Sequence, residues 1–268
     1  MNPIELKMVE VLKELKQKYY AVGVKAEFEA EGTRSDEFLR LLEITRRAGL
    51  DVALKIGGAE AIRDLFEAKQ FGADYVVAPM VETPYALSKY IGAYETAFTK
   101  DELEDTSFLF NVETKTTFNN LAQIIEVIVS SATKPGIVFG RVDFTQSNGM
   151  KRGDVNSDKI LEYCLEVARQ CKLAGIDFVV GGGVSLDAID FLQALKATYL
   201  TRFETRKIIF NADALSMAKL RKGLLLAVEF ELLWLQNKHN YYACIAKEDE
   251  TRLELLSTRV LQLRQEVG

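Results

Sequence analysis

The chain has 268 residues, 48% hydrophobic and 27% charged, with a formal net charge of -5. That balance describes a folded globular protein and excludes a disordered chain or a nucleic-acid binder resting on phosphate neutralisation. No apolar run approaches the roughly 20 residues of a membrane helix, and the N-terminus lacks the apolar core of a signal peptide, so the expectation is a cytoplasmic protein without nucleic-acid or membrane partners.

The first predicted element is an amphipathic helix, "MNPIELKMVEVLKELKQK". After it one grammar repeats, a short β-branched run, a turn and an amphipathic stretch. "VGVKAEFEAEG" leads to "SDEFLRLLEITRRAG", with Ser35 as N-cap and Gly49 as stop, and "LDVALKIGG" to "AEAIRDLFEAKQFG". "ADYVVAP" leads to "TPYALSKYIGAYETAF", "TSFLFNVET" to "FNNLAQIIEVIVSSA", and "PGIVFGRVDF" to "SDKILEYCLEVARQCKLAG". "IDFVVGGG" then leads to "SLDAIDFLQALKA", and "RKIIFNAD" to "LSMAKLRKGLLLAVEFELLWL". Strands alternating with helices at this spacing predict parallel βα units, and near-continuous apolar runs fit strands covered on both faces.

Seven strands are evident, one short of a (β/α)8 barrel. The eighth is expected either as an irregular segment or in "QKYYAV" before Gly23. A doubly wound open sheet is the alternative, but no dinucleotide fingerprint follows the first strand. The predicted architecture is therefore a TIM-like barrel over residues 1–213, including the N-terminal helix, followed by an extended C-terminal helical hairpin over 214–268. That hairpin packs either on its own barrel or on a neighbouring subunit.

Cys164, Cys171 and Cys244 form no metal-ligand pattern, and Cys164 and Cys171 share a helical face, as core cysteines do. His239 is the only histidine, which excludes mechanisms built on a histidine pair.

In a (β/α)8 barrel the catalytic groups gather where strands end. Those positions here are Lys25, Glu27, Glu29 and Glu31; Lys55 before Gly57 and Gly58; Pro79, Met80 and Glu82; Asn111, Glu113 and Lys115; Arg141 and Asp143; Gly181, Gly182 and Gly183; and Asn211 and Asp213. Glu113 and Asp143, on adjacent strands among oxygen donors, suit Mg²⁺ or Mn²⁺. The alternative is that both are paired with Lys115 and Arg141. Gly181–Gly183 either cradle a phosphate through backbone N–H groups or permit close backbone approach at the rim.

"LFNVETKTTFNNLAQI" followed by "GIVFGRVDFTQSNG" resembles the paired metal-site motifs of the HpcH/HpaI aldolase and citrate lyase beta-subunit family. "DYVVAPMVETPYAL" is similar to that family's strand ending in V-P-M-V-E. The resemblance runs from about Val24 to Gly183. It implies a TIM-like barrel, a homo-oligomer, and a divalent-metal-dependent carbon–carbon lyase or aldolase. Such an enzyme acts through a metal-stabilised enolate of a pyruvate-like 2-oxo acid or an acyl-CoA substrate, a small acidic molecule in either case. It also implies Glu113 and Asp143 as metal ligands, with Mg²⁺ or Mn²⁺ as cofactor.

The chain departs from the pattern at two positions. Lys55 stands where the family usually has an Arg, keeping the charge without the bidentate fork. No histidine follows the first strand, where "AEFEAEGTRS" offers Glu27, Glu29 or Glu31, with Glu29 preferred as base. Arg141 is expected either to supply the missing guanidinium or to pair with Asp143 or Glu113. Lys55, Glu29 and Arg141 are thus the expected catalytic residues, with Gly57, Gly58, Met80, Gly181 and Gly182 lining the substrate. The rival readings are a non-catalytic barrel binding a metabolite or a partner, and a phosphosugar isomerase or epimerase using Gly181–Gly183.

Overall fold

The computed structural model describes residues 1–268. Eight strands close into a barrel in chain order. Helix α1 (Pro3–Tyr19) opens the chain, capped by Asn2, whose side chain accepts from the Glu5 amide while the Glu5 carboxylate accepts from the Asn2 amide. The βα units follow as β1 (Ala21–Glu27) and α2 (Ser35–Arg47), β2 (Asp51–Lys55) and α3 (Ile62–Phe71), and β3 (Tyr75–Ala78) with α4 (Pro84–Ala97) and α5 (Lys100–Asp105). Next come β4 (Ser107–Val112) with α6 (Lys115–Asn119) and α7 (Leu121–Ser130), and β5 (Gly136–Gly140) with α8 (Arg141–Ser147) and α9 (Asp158–Ala174). Strand β6 (Phe178–Gly181) precedes α10 (Ile189–Thr198), then β7 (Arg202–Glu204), β8 (Ile208–Asn211) and the final helix α11 (Leu220–Val267).

The strand register explains why the strand sequences are apolar on both parities. Side chains at one parity, among them Val24, Leu54, Val76, Phe110, Phe139, Val180, Phe203 and Phe210, join the large core between strands and helices. The opposite parity points into the lumen, where Val77, Leu109, Val138 and Val179 form a separate small cluster. The barrel wall divides the two. Below that apolar layer, Arg202 pairs with Asp177 at 2.6 Å and lies 4.7 Å from the Tyr75 ring centroid, closing the lumen at the end where the parallel strands start. Above it the lumen turns polar.

Two features differ from the sequence expectation. The eighth strand is Arg202–Glu204, too short and too charged at its ends to stand out, rather than a segment before Gly23. It forms a tight hairpin with β8, which runs antiparallel to both β7 and β1. The residues after β8, Asn211 and Asp213, therefore lie at the end where the parallel strands start, away from the other strand ends named as candidates, and are corrected out of the candidate site.

The C-terminal hairpin is likewise corrected. Residues 220–267 form one continuous helix of 48 residues. After Gly223 this stretch contains neither Gly nor Pro, so nothing breaks it. Because β8 descends, α11 starts beneath the barrel and climbs antiparallel to α1. Gly223 meets Tyr19 near one end, where a Cβ would stand 3.0 Å from the tyrosine, and Asn237 meets Glu5 and Asn2 near the other. Tyr242 and Lys238 then reach Glu37 in the first turn of α2, and the rest of α11 extends beyond, exposed on all sides. No helix of the chain is long and apolar enough to cross a membrane.

Candidate active site

The upper lumen is built from inward-facing strand residues: Lys25 and Glu27 of β1, Lys55 of β2, Asn111 of β4 and Glu113 just past it, and Glu204 of β7. Gly140 and Gly181 occupy facing positions on β5 and β6 and leave the room these long side chains need. A Cβ at Gly140 would stand 3.0 Å from the Glu113 Cβ, and one at Gly181 would stand 2.8 Å from the Glu204 Oε1.

Glu113 is 1% exposed, so its carboxylate requires partners. Oε1 accepts from the Met80 amide at 2.9 Å and Oε2 from Asn111 Nδ2 at 2.7 Å. Lys55 Nζ lies 3.8 Å from the same Oε2 and 3.2 Å from Glu29 Oε2. The structure thus brings together three of the expected residues, Lys55, Glu29 and Glu113. Met80 joins them through its backbone. It holds φ 52°, a left-handed conformation costly for a non-glycine residue, while its side chain stays exposed. Such strain persists where surrounding contacts fix it, and the bond to Glu113 is one of them.

Beside this group sits a second polar set, of which sequence reasoning assigns only Glu27 and Glu31, as alternatives to Glu29 for the base. Lys25 Nζ lies 2.6 Å from Glu204 and 3.2 Å from Glu27. Burial works against the Lys25 charge, but Glu204 and Glu27 more than offset it and raise its pKa above the ordinary lysine value. Burial likewise works against the Glu27 charge, and Lys25, Lys55 and Arg206 overcome it, holding the carboxyl below the usual range. Lys25 is therefore a charged strut and not a neutral nucleophile. At the β7–β8 turn Arg206 and Lys207 both pair with Glu31. Lys207 is buried, which depresses its pKa despite Glu31. The signal for Lys25 was present in its alternation with Glu27 and Glu29; the signal for Glu204 was hidden with its strand.

Asp143 and Arg141 sit differently from expectation. Strand β5 ends at Gly140, and Arg141–Ser147 is a helical turn. Asp143 lies in that turn, solvent-exposed, and no hydrogen bond or ion pair within the chain engages its carboxylate. Arg141 has no exposed surface. Its Nη1 donates to Asn156 at 2.7 Å, its Nε to the Gly181 carbonyl at 3.3 Å, and its guanidinium lies 4.8 Å from the Phe191 ring centroid. Burial lowers its pKa to about 10. It pairs with neither Glu113 nor Asp143 and does not reach the lumen group. This corrects its expected place beside the substrate, because it packs into the helix layer.

Gly182 and Gly183 have φ of 77° and 66°, and a Cβ on Gly182 would stand 2.8 Å from the Val142 amide nitrogen. Close backbone approach accounts for these glycines. Gly57 donates its amide to Asp64 at 2.7 Å, whereas Gly58 has open space where a Cβ would project.

A metal at this mouth would meet oxygen donors only. Glu113 offers a carboxylate already oriented by two N–H donors, Asp143 a carboxylate without a protein partner, and Asn111 Oδ1 is buried with no hydrogen-bond partner. Nowhere do three or more His, Cys, Asp or Glu side chains converge. One or two carboxylates completed by water and substrate oxygens is the donor set that Mg²⁺ and Mn²⁺ accept, so the residues fit such an ion.

A family profile described as HpcH/HpaI aldolase/citrate lyase matches residues 37–197, more than half of the chain. Among solved structures, an HpcH/HpaI aldolase from Desulfitobacterium hafniense DCB-2 is similar at 12% identity and a TM-score of 0.58, over 74% of this chain and 82% of that one. An HpcH/HpaI aldolase/citrate lyase family protein from Burkholderia cenocepacia J2315 is similar at 16% identity and 0.58, over 82% and 90%. The citrate synthase SbnG gives 14% and 0.59, over 74% and 81%. At these identities the structural likeness speaks for the fold. Comparison with curated protein sequences gives no match.

Proposed function

The chain belongs to the HpcH/HpaI aldolase/citrate lyase family, and from that premise we propose that it is a divalent-metal-dependent carbon–carbon lyase acting on a small 2-oxo acid or acyl-CoA thioester. Membership makes it an enzyme of the lyase and aldolase type, and enzymes of this family generally use a divalent metal. The observation that carries the finer reading is Glu113, a carboxylate buried at the top of the lumen, held by the Met80 amide and Asn111, with the Lys55 ammonium alongside.

Glu113 and Asp143 would hold Mg²⁺ or Mn²⁺, and Asn111 Oδ1, buried and unpartnered, is a further oxygen beside Glu113. When bound, such an ion supplies Lewis-acid polarisation of a substrate carbonyl oxygen. The chain's own groups do the rest. The Lys55 ammonium faces the negative charge that grows on that oxygen as a carbon–carbon bond breaks. Glu29, 3.2 Å from Lys55 and about one-third exposed, is the carboxylate placed to exchange a proton with substrate at the rim. Lys25, Glu27 and Glu204 floor the site and position Lys55 by charge. Glu31, Arg206 and Lys207 tie the end of β1 to the β7–β8 turn.

The test is a titration of chelator-stripped protein with Mn²⁺, with and without pyruvate or oxaloacetate. Binding that tightens with the 2-oxo acid and is lost in Glu113→Gln and Asp143→Asn supports the proposal. Unchanged Mn²⁺ affinity in both variants refutes the assignment of the ligands.

A further inference from the structure

Helix α11 carries two different faces. One face, with Gly223, Ala227, Phe230, Trp234 and Asn237, is buried against the body. The other repeats with the 3–4 spacing of a heptad along the whole helix: Leu225, Val228, Leu232, Leu235, His239, Tyr242, Ala246, Asp249, Leu253, Leu256, Val260, Leu263 and Val267. Its aliphatic members are all exposed, Leu225 at 65%, Leu232 at 54%, Leu253 at 63% and Leu256 at 48% among them. The stripe is apolar at both ends and polar in the middle, where His239 and Asp249 stand and where Tyr242, half-buried, also donates its hydroxyl to Glu37 of the same chain.

We propose that a second copy of this chain covers the stripe, with the two α11 helices forming an antiparallel coiled coil centred near Cys244. In that register the two apolar halves cover each other. Leu225 lies opposite Leu263 of the second copy, Val228 opposite Val260, Leu232 opposite Leu256, and Leu235 opposite Leu253. The two polar seam residues also meet, His239 against Asp249, and both copies of Ile245 flank the centre. The paired length from Leu225 to Leu263 is about 60 Å at 1.5 Å per residue.

The parallel in-register alternative places Asp249 against Asp249 in the seam and Arg259 beside Arg264, two like-charge contacts. An antiparallel pairing of the exposed tails alone leaves Leu225, Val228, Leu232 and Leu235 in water. The register centred at Cys244 is the one that covers every aliphatic seam residue from Leu225 to Leu263 and sets its two polar seam residues, His239 and Asp249, against each other. This inference rests on α11 alone and stands or falls independently of the lyase reading.

The test uses the full chain. Light scattering or sedimentation at micromolar concentration is expected to give a dimer. Leu256→Glu and Leu232→Lys alter exposed side chains that the barrel does not use, so circular dichroism should remain unchanged while each variant alone associates on the order of 100-fold more weakly. Mixing the two variants should restore a dimer. The carboxylate introduced by Leu256→Glu in one copy then meets the ammonium introduced by Leu232→Lys in the other, and in the counterpart layer leucine meets leucine. In a Cys244→Ser background, His239→Cys mixed with Asp249→Cys should form an intermolecular disulfide that neither variant forms alone. A monomeric wild type, a dimer indifferent to Leu256→Glu, failure of the mixture to associate, or self-cross-linking of Asp249→Cys would each overturn the proposal.

Discussion

Gly140 offers a sharp test of how the upper lumen is packed. Alanine there would place its Cβ 3.0 Å from the Glu113 Cβ and 3.1 Å from its Oε2, closer than ordinary contacts allow. Glu113 has little freedom to retreat, because its two oxygens are held by the Met80 amide and by Asn111. Overpacking of this kind costs about 1–3 kcal/mol. Restricting the unfolded backbone returns roughly 0.4–1 kcal/mol, so the net loss is about 1–2 kcal/mol. For a chain of this size that lowers Tm by roughly 3–6 °C. Gly92, exposed within α4 and with nothing near its Cβ position, provides the same chemical change with the opposite sign. Gly92→Ala should gain about 0.5–1 kcal/mol from helix propensity. Differential scanning fluorimetry of both variants measures the pair, and Mn²⁺ titration of Gly140→Ala should show weakened binding as the carboxylate is displaced. A Gly140→Ala protein with unchanged Tm and unchanged Mn²⁺ affinity would refute the packing argument.

Lys25→Met should cost about 3–5 kcal/mol in urea unfolding, because Glu27 and Glu204 are each 6% exposed and would lose their common cation. The double variant Lys25→Met/Glu204→Leu should recover part of that loss. Acid stability should report on Glu5, whose carboxyl is held down at about 2, first by its hydrogen bonds to Arg40 at 2.6 and 2.7 Å. A depressed folded pKa gives stabilisation that is full above the ordinary carboxylate value near 4.5 and is lost as pH falls toward 2. Glu5→Gln should therefore cost about 2 kcal/mol at pH 7, less than the full shift because the partly exposed Arg40 is screened by solvent, and little near pH 2, measured as the difference in unfolding free energy between the two pH values.

Most of the barrel was legible in the sequence because its strands are apolar at both parities, and the two parities fill physically separate cores. The motif "NVET" marked Glu113 for the same reason: a carboxylate at the end of such a run has no cheap way to be buried. What escaped was directional. The three residues of β7 carry too few apolar side chains to register, and with them went the hairpin, the reversal of β8, the lumen position of Glu204 and the pairing of Lys207 with Glu31 at the turn. Arg141 was misplaced although its face was legible: it shares the outward parity of Phe139, and helix α8, starting at Arg141, keeps its side chain on that side toward Phe191. A charge at a strand end suggests a rim group there, whereas the alternation of Val138, Phe139 and Gly140 already sets the next side chain outside the barrel.

The reversed last strand also decides where the chain leaves the barrel. Eight parallel strands would deliver the final helix from the catalytic rim downward and leave the C-terminus at the far end. Here the chain descends with β8 and has to climb back along α1, so the free end of α11 emerges on the side where Glu37 and the loops above the site lie. One change of strand direction thus moves the C-terminus from the end closed by Arg202 and Asp177 to the end that carries Lys55, Glu29 and Glu113. The same helix ties the main core, through Phe230 and Trp234, to the first turn of α2 above the barrel, through Lys238 and Tyr242.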